Sequence, residues 1–182
     1  MTEYVDSLGD LLDDLIGLDS AIVLGHSLGG LIAQEFYREY PRRVRALILA
    51  DTTRGGSDPY KRLRMIRTMT PDELARERVP KLLSRNASQE LIDEAIAIMS
   101  EVRRTGYEFA SLAMWKADTT GVLDNIDIPL LMIWGADDEI TPPWSEWPSK
   151  ARVEIIKDAG HLCYIEQPDI FNSIVMDFAK LI

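Results

Sequence analysis

Residues 21–37, AIVLGHSLGGLIAQEFY, constrain the fold more than any other part of the chain. The stretch begins with four apolar residues, which are typical of a strand buried on both faces of a parallel sheet. Apolar side chains at helical spacing follow its glycines, so an amphipathic helix is expected there. Between strand and helix lies Gly25-His26-Ser27-Leu28-Gly29, a G-x-S-x-G pattern in the strand–turn–helix context that a nucleophile elbow requires. The alternative is that Ser27 only caps the helix.

The glycines of this motif have a physical explanation. At a sharp turn, a side chain at Gly25 or Gly29 is expected to collide with the neighbouring backbone, and Gly30 is expected to let the helix lie close to the sheet. The turn should hold Ser27 in a strained conformation with its Oγ projecting from the bend. The positive end of the helix would favour a developing anion beside it.

The same succession of helices and strands recurs along the chain. A first amphipathic helix is predicted to end at Gly17, and residues 44–50 form a second buried apolar run. Residues 129–134 (PLLMIW) and 153–156 (VEII) are predicted strands, and Pro168 begins a last helix. This order predicts an α/β fold in which a mostly parallel sheet of about four strands is flanked by helices.

Residues 52–121 carry helical patterns only. Thr70 and Glu73 bracket a capping box with proline at the first helical position, and Gly106 is expected to separate two later helices. A helical insert between two strands of a parallel sheet is typical of a cap over the carboxyl ends of the strands, where such sheets bind ligands. The predicted organisation is a core of residues 1–51 and 122–182 with a helical cap of residues 52–121.

Composition excludes several classes of function. The 182-residue chain has a net charge of −10, and because such a surface repels phosphate backbones, nucleic acid is not an expected partner. No apolar run is long enough to cross a bilayer, so no membrane association is expected, and a secretory signal is not recognisable. The single cysteine, Cys163, fits a cytoplasmic location. With one cysteine and two histidines, no metal site is expected, and no cofactor is implied.

A serine hydroxyl becomes a nucleophile only with a base within hydrogen-bond reach. The chain has two histidines, and the side chain of His26, adjacent to Ser27, should point away from it. By elimination, the expected base is His161. Its imidazole needs an acid that fixes the tautomer, and Asp137 and Asp138, which follow the PLLMIW strand, are both candidates.

Three segments, GHSLGG, GADDEITPP and AGHLCYIEQPDIF, resemble the α/β-hydrolase superfamily, and the resemblance extends over essentially the whole chain. It implies a Ser-Asp-His triad, and the family's G-x-x-D-x-x-x-P pattern selects Asp138 as the acid. Asp51 remains a second candidate, because some members carry the acid after the preceding strand. The resemblance also implies that the backbone N–H of Leu28 donates to the oxyanion. The segments GYEFASLAMWKAD and LDNIDIPLLMIWGADDEITPP are similar to 3-oxoadipate enol-lactone hydrolases and their esterase and perhydrolase relatives.

Members of this superfamily carry several dozen residues before the elbow helix, including strands and an HG-containing loop that supplies the other oxyanion N–H. Since this sequence starts at the elbow helix, a fragment or truncated gene product is expected, and losing one such donor costs about 10²–10³ in rate. The strand at residues 21–24 should then be an unpaired apolar edge. The alternative is that a partner chain or a swapped dimer covers it, which makes a homo-oligomer a candidate state.

The predicted function is hydrolysis of a carboxylic ester or lactone through an acyl-enzyme, with Ser27, His161 and Asp138 as the triad. Carbon–carbon bond hydrolysis of ring-cleavage products and perhydrolysis use the same triad and stay open. Epoxide and haloalkane hydrolysis need an aspartate nucleophile, which Ser27 excludes. An alternative from a different class is a non-catalytic remnant that acts as a binding module.

Tyr107, Trp115 and Arg54 are candidates for contacts with a small ester or lactone substrate. The two aromatic side chains could line an acyl pocket or pack between cap helices. Arg54 begins a basic cluster that continues with Lys61, Arg62, Arg64 and Arg67. Such a cluster suits a carboxylate-bearing lactone, and a solvated helix face explains it equally well.

Overall fold

The four apolar runs of the sequence form one parallel sheet in the computed structural model, which describes residues 1–55 and 58–182, with the backbone alone at residues 14–16. The strands are β1 (Ala21–His26), β2 (Val44–Ala50), β3 (Leu130–Gly135) and β4 (Ala151–Ile156). Neighbours in this order are hydrogen-bonded, and every pairing is parallel. The predicted α/β class with about four parallel strands is therefore confirmed.

Helices connect and flank the strands. They are α1 (Thr2–Asp10), α2 (Leu28–Glu39), α3 (Tyr60–Thr68), α4 (Pro71–Arg78), α5 (Gln89–Ser100), α6 (Arg104–Lys116), α7 (Cys163–Glu166) and α8 (Pro168–Ala179). Helix α1 continues into a π-helical segment, Leu11–Ile16, which ends at Gly17 with a left-handed φ of 63°. Short 3₁₀ turns occupy Pro41–Arg43 and Val79–Lys81. The predicted end at Gly17 follows from glycine's freedom at positive φ.

The sheet buries apolar side chains on both faces, as parallel sheets do. Alternate residues of β2 point to opposite sides, so Leu47 belongs to one apolar cluster and Ile48 to another. The first cluster includes Phe36 of α2. The second includes Phe171 and Phe178 of α8. Helices thus cover both faces and leave the carboxyl ends of the strands available for a site.

Helices α3 to α6 all lie between β2 and β3 in the chain. The predicted capping box at the start of α4 is formed, since Thr70 Oγ1 accepts from the Glu73 N–H and the Glu73 carboxylate accepts from the Thr70 N–H. The expectation for Gly106 is wrong. It lies inside α6, whose helical backbone tolerates a single glycine at a cost of about 1 kcal/mol. The division into a core and a cap at residues 52–121 remains a prediction.

Strand β1 is the outer strand of the described sheet, and Leu24 on it is 44% exposed. The unpaired apolar edge expected from the sequence is present in this part of the chain. Among the residues that the structure describes, every helix is too short or too polar to span a lipid bilayer.

Candidate active site

Ser27 lies at the bend where β1 ends and α2 begins. Its backbone has φ 51° and ψ −118°, a conformation that costs an L-residue about 1–3 kcal/mol. Two hydrogen bonds fix it: its N–H donates to the Ala50 carbonyl at 3.0 Å, and Thr52 Oγ1 donates to its carbonyl at 2.6 Å. The surrounding chain therefore holds the strained turn expected of an elbow.

The glycines of the motif differ in what they allow. A Cβ on Gly25 would lie 2.2 Å from the carbonyl oxygen of Gly29, so the strand end and the helix start approach too closely for a side chain. A Cβ on Gly30 would lie 2.4 Å from Thr52 Oγ1, which agrees with the expected close approach of helix and sheet. The expectation for Gly29 is wrong, because a Cβ placed there would have no described heavy atom within 4 Å apart from its chain neighbours and the nearby backbone of its own helix.

His161 follows β4 and reaches the elbow. Its Nε2 lies 3.0 Å from Ser27 Oγ, and its Nδ1 lies 2.9 Å from Asp138 Oδ2. The ring is buried, with 4% of the residue exposed. The structure therefore brings Ser27, His161 and Asp138 into one hydrogen-bonded chain in the order that the sequence predicted.

Asp138 is held by the turn that follows β3. Its Oδ1 accepts from the N–H groups of Ile140 and Thr141, and its Oδ2 accepts from Thr141 Oγ1. Burial opposes ionisation, but the hydrogen bond and charge of His161, with the bonds from Thr141, hold the pKa of Asp138 below its usual range. Asp137, the neighbouring candidate, is exposed. The side chain that faces the imidazole is Asp138.

Asp51, the other candidate acid, is fully buried beside β3. It accepts from the Gly135 N–H at 2.9 Å and from Cys163 Sγ at 2.9 Å, and its described hydrogen bonds do not include His161. Burial is the largest cause of a rise in its pKa to about 7. The thiol of Cys163 thus takes part in a polar contact below the site, a role that the sequence did not indicate.

His26 packs against the other histidine. Its Nε2 lies 2.6 Å from the His161 carbonyl oxygen and donates to it, and the two ring centroids are 4.9 Å apart. Burial, followed by the charge of His161, lowers the pKa of His26 to about 4, so the ring is neutral at pH 7. In this position His26 supports the backbone of the other histidine and leaves Ser27 Oγ to His161.

The loop that carries His161 is clamped by a residue that sequence reasoning missed. The Glu166 carboxylate accepts from the Gly160 N–H at 2.6 Å and from the Ser84 N–H at 2.7 Å. It therefore links the histidine loop to the insert between β2 and β3. Glu166 lies within the segment AGHLCYIEQPDIF, but the sequence indicates no role for it, since the link depends on two segments meeting in space.

A cavity of about 600 Å³ opens above Ser27 and His161, with Leu28 in its wall. Of the predicted substrate contacts, Tyr107 lines it. Arg54 is not among the described lining residues, but its guanidinium lies 4.3 Å from the ring centroid of Trp144, which is one of them. Trp115 lies elsewhere, 44% exposed in a separate groove with Tyr60 and Leu112.

The chain belongs to the alpha/beta hydrolase family, whose model matches residues 2–174. It is similar to the 2-hydroxy-6-oxononadienedioate/2-hydroxy-6-oxononatrienedioate hydrolase 1 of Dechloromonas aromatica, with 30% identity over 91% of this chain and 64% of that protein. It also resembles the structure of a thermophilic esterase from Thermogutta terrifontis, with 26% identity, a TM-score of 0.87, and coverage of 97% of this chain and 70% of the other.

The enol-lactonase from Burkholderia xenovorans LB400 shares the fold at a TM-score of 0.90, with 23% identity and coverage of 98% of this chain and 72% of that one. The resemblance to the α/β-hydrolase superfamily noted from the sequence is thus confirmed, and the protein is a hydrolase-family member. Across these three relatives, the chain spans between 64% and 72% of the length of each.

Proposed function

We propose that this protein hydrolyses carboxylic esters or lactones through an acyl-enzyme formed on Ser27. The observation that carries the proposal is the chain of contacts from Ser27 Oγ to His161 Nε2 at 3.0 Å and from His161 Nδ1 to Asp138 Oδ2 at 2.9 Å. A neutral imidazole in this position accepts the hydroxyl proton, and the adjacent carboxylate stabilises the imidazolium that forms. The hydroxyl of Ser27 is then a competent nucleophile.

The reaction proceeds in two balanced halves. Ser27 Oγ bonds to the substrate carbonyl carbon as its proton passes to His161, and the imidazolium returns that proton to the leaving alkoxide as the ester bond breaks. A water molecule then gives a proton to His161 as its oxygen bonds to the acyl carbon, and the imidazolium returns that proton to Ser27 Oγ as the bond from the acyl carbon to Oγ breaks, which releases the acid and the free serine. In a lactone both products stay in one molecule.

Leu28 is the proposed oxyanion donor. As the first residue of α2, its N–H has no partner within the helix, and it lies in the wall of the cavity beside Ser27. The helix dipole adds a partial positive charge at this end. A carbonyl oxygen that becomes negative near Ser27 would therefore be stabilised by this group.

Hydrolysis of a carbon–carbon bond in a ring-cleavage product is the second candidate. The name of the Dechloromonas aromatica relative, a dienedioate hydrolase at 30% identity, favours it. The esterase from Thermogutta terrifontis, at 26% identity and a TM-score of 0.87, favours ester hydrolysis. Comparing turnover of p-nitrophenyl esters with that of a 2-hydroxy-6-oxo-dienedioate separates the two, because the preferred substrate has the higher kcat/KM.

Single substitutions of Ser27 and of each of the two histidines test the proposal directly. We expect Ser27→Ala and His161→Asn to lower p-nitrophenyl acetate turnover by about 10⁴-fold or more. His26→Asn, which alters the neighbouring ring, should lower it by less than about tenfold. A fluorophosphonate probe should label the wild type and not Ser27→Ala. Equal turnover by wild type and Ser27→Ala, with no labelling of either, would contradict the proposal and support a non-catalytic role.

A further inference from the structure

Two guanidinium groups line the cavity above Ser27. Arg62 projects from α3 and Arg78 from the end of α4, so both belong to the segment between β2 and β3. In the sequence, Arg62 is recognisable only as one member of a basic cluster, and no pattern distinguishes Arg78. The structure separates these two from the other arginines of that segment by placing them in the same cavity wall as His161.

The charged side chains in the described part of the cavity wall all carry the same sign. Among the described residues that line it there is no aspartate or glutamate. The described wall of the cavity thus carries two cationic side chains and no anionic one, in a chain whose net charge is −10.

Arg78 has an unmet hydrogen-bonding requirement. Its Nε is buried and has no hydrogen-bond partner among the described residues. A buried donor without an acceptor costs about 1–3 kcal/mol, and more when the group is charged. An anion bound at the other nitrogens of this guanidinium would offset part of the cost of burying its charge.

The partly buried guanidinium of Arg62 lies close enough to Arg78 for their charges to interact. One of its contacts runs from Nη1 to Met114 Sδ at 3.2 Å. Burial, and then the positive charge of Arg78, lowers the pKa of Arg62. Two cations that repel each other inside a cavity favour an anion between or beside them.

We propose that Arg62 and Arg78 bind a carboxylate of the substrate, so that the ester or lactone opened at Ser27 carries an ionised acid away from its scissile carbonyl. The inference rests on the proposed function and specifies its substrate class. Guanidinium groups suit this role because their forked N–H donors match the two oxygens of a carboxylate. Apolar lining residues such as Leu82 and Trp144 would contact the carbon chain between the two ends.

Matched ester pairs test the assignment. p-Nitrophenyl valerate and mono-p-nitrophenyl glutarate have acyl chains of equal length, and only the second ends in a carboxylate; the hexanoate and the adipate half-ester form a longer pair. We expect the wild type to prefer the half-ester in at least one pair. Arg78→Gln and Arg62→Gln should each lower the ratio of kcat/KM for half-ester over neutral ester by about tenfold to a hundredfold, mainly through KM.

Two further variants serve as controls. Arg64→Gln removes an exposed arginine from the same helix, α3, and should leave the ratio unchanged. Arg78→Lys keeps the charge without the fork and should retain part of the preference. A wild type that prefers the neutral ester in both pairs, or a ratio that neither glutamine variant lowers, would overturn the assignment.

A binding measurement separates this inference from the proposed function. Calorimetry with Ser27→Ala compares monomethyl glutarate with dimethyl glutarate, and no turnover is needed. We expect tighter binding of the acid, and loss of that difference in Ser27→Ala combined with Arg78→Gln. Binding of this kind in a chain without esterase activity would support the arginine site while the hydrolase proposal fails; equal binding of the two esters would overturn the site.

Discussion

Asp51 and Asp138 both lie just beyond the carboxyl ends of strands, and their pKa values are shifted in opposite directions. Asp138 accepts hydrogen bonds from His161 and from the turn after β3, so its ionised form is favoured despite burial. Asp51 is buried with one backbone donor and one thiol, and burial dominates. The acid beside the imidazole is therefore charged at neutral pH, whereas the buried acid holds its proton up to about pH 7.

This difference predicts a pH dependence of stability for Asp51→Asn. The carboxyl of Asp51 ionises at about 3.8 in a model compound and at about 7 in the folded chain. Between these values the unfolded state binds fewer protons than the folded state, so the free energy of unfolding of the wild type falls as pH rises. Asn does not titrate. The free energy of unfolding of the variant, relative to that of the wild type, should therefore rise by about 2–3 kcal/mol between pH 5 and pH 8.

Urea denaturation of both proteins at the two pH values measures this change. Asp137→Asn is the matched control, since Asp137 is an exposed carboxylate at the same edge, and its difference from the wild type should stay within about 0.5 kcal/mol across the range. If the difference in free energy of unfolding between wild type and Asp51→Asn were the same at both pH values, Asp51 would not retain its proton in the folded chain.

Some individual residues of the site could be identified from the sequence and others could not, for a physical reason. Ser27 could be found because its motif is local, and His161 because only two histidines are present. Arg78 and Glu166 could not be found, because their positions depend on how the insert between β2 and β3 lies over the sheet. Residues whose contacts come from distant segments carry no local pattern.

Among the elements, the elbow shows how a rule read from a motif can hold at one glycine and fail at another four residues later. Gly25 is required, because the backbone of α2 approaches the end of β1 so closely that no Cβ fits. Gly29 lies within α2, where the space around a Cβ is open. Both glycines look alike in the G-x-S-x-G pattern, and only the packing distinguishes them.

Alanine at these two glycines should give opposite results. Gly25→Ala places a Cβ 2.2 Å from the Gly29 carbonyl oxygen, and relief of that overlap should cost about 2–3 kcal/mol of unfolding free energy. Gly29→Ala should stabilise the chain by up to about 1 kcal/mol, because alanine is the better helix former. Denaturant midpoints of the two variants measured side by side decide this, and an equal loss of stability in both would show that the elbow packs differently.

The helices and strands themselves were largely predictable. Each predicted strand appears, because continuous apolar runs identify strands buried on both faces. The start of α6 was not predictable from Gly106, because a glycine weakens a helix without ending it. The helix begins at Arg104. The continuation of α1 into a π-helical segment also had no recognisable sequence pattern.

For the whole molecule, the parallel order of strands explains why distant residues meet. The carboxyl ends of β1, β3 and β4 lie at one edge of the sheet, so the segments that follow them deliver Ser27, Asp138 and His161 to the same place. That convergence followed from the strand order alone. The positions of Arg62 and Arg78 in the cavity wall could not be predicted in this way, because they depend on which faces of α3 and α4 turn toward the cavity.

The two outer strands of the described sheet differ in their protection against pairing with another chain. Strand β4 carries Arg152 and Glu154, which form an ion pair. Strand β1, AIVLGH, carries no acidic or strongly basic residue, and its Leu24 is 44% exposed. Charged residues on an edge strand discourage edge-to-edge association, and an apolar edge permits it.

We therefore expect the chain to self-associate through β1. Light scattering coupled to size-exclusion chromatography should show the apparent mass of the wild type rising with concentration, because the free N–H and C=O groups of β1 can pair with those of a second copy. Leu24→Lys should shift the equilibrium toward the monomer by placing a charge on that edge. Ile155→Lys, at an exposed apolar position on β4, is the matched control and should leave the association unchanged. A wild type that is monomeric at every concentration, or association that responds to Ile155→Lys and not to Leu24→Lys, would contradict an interface at β1.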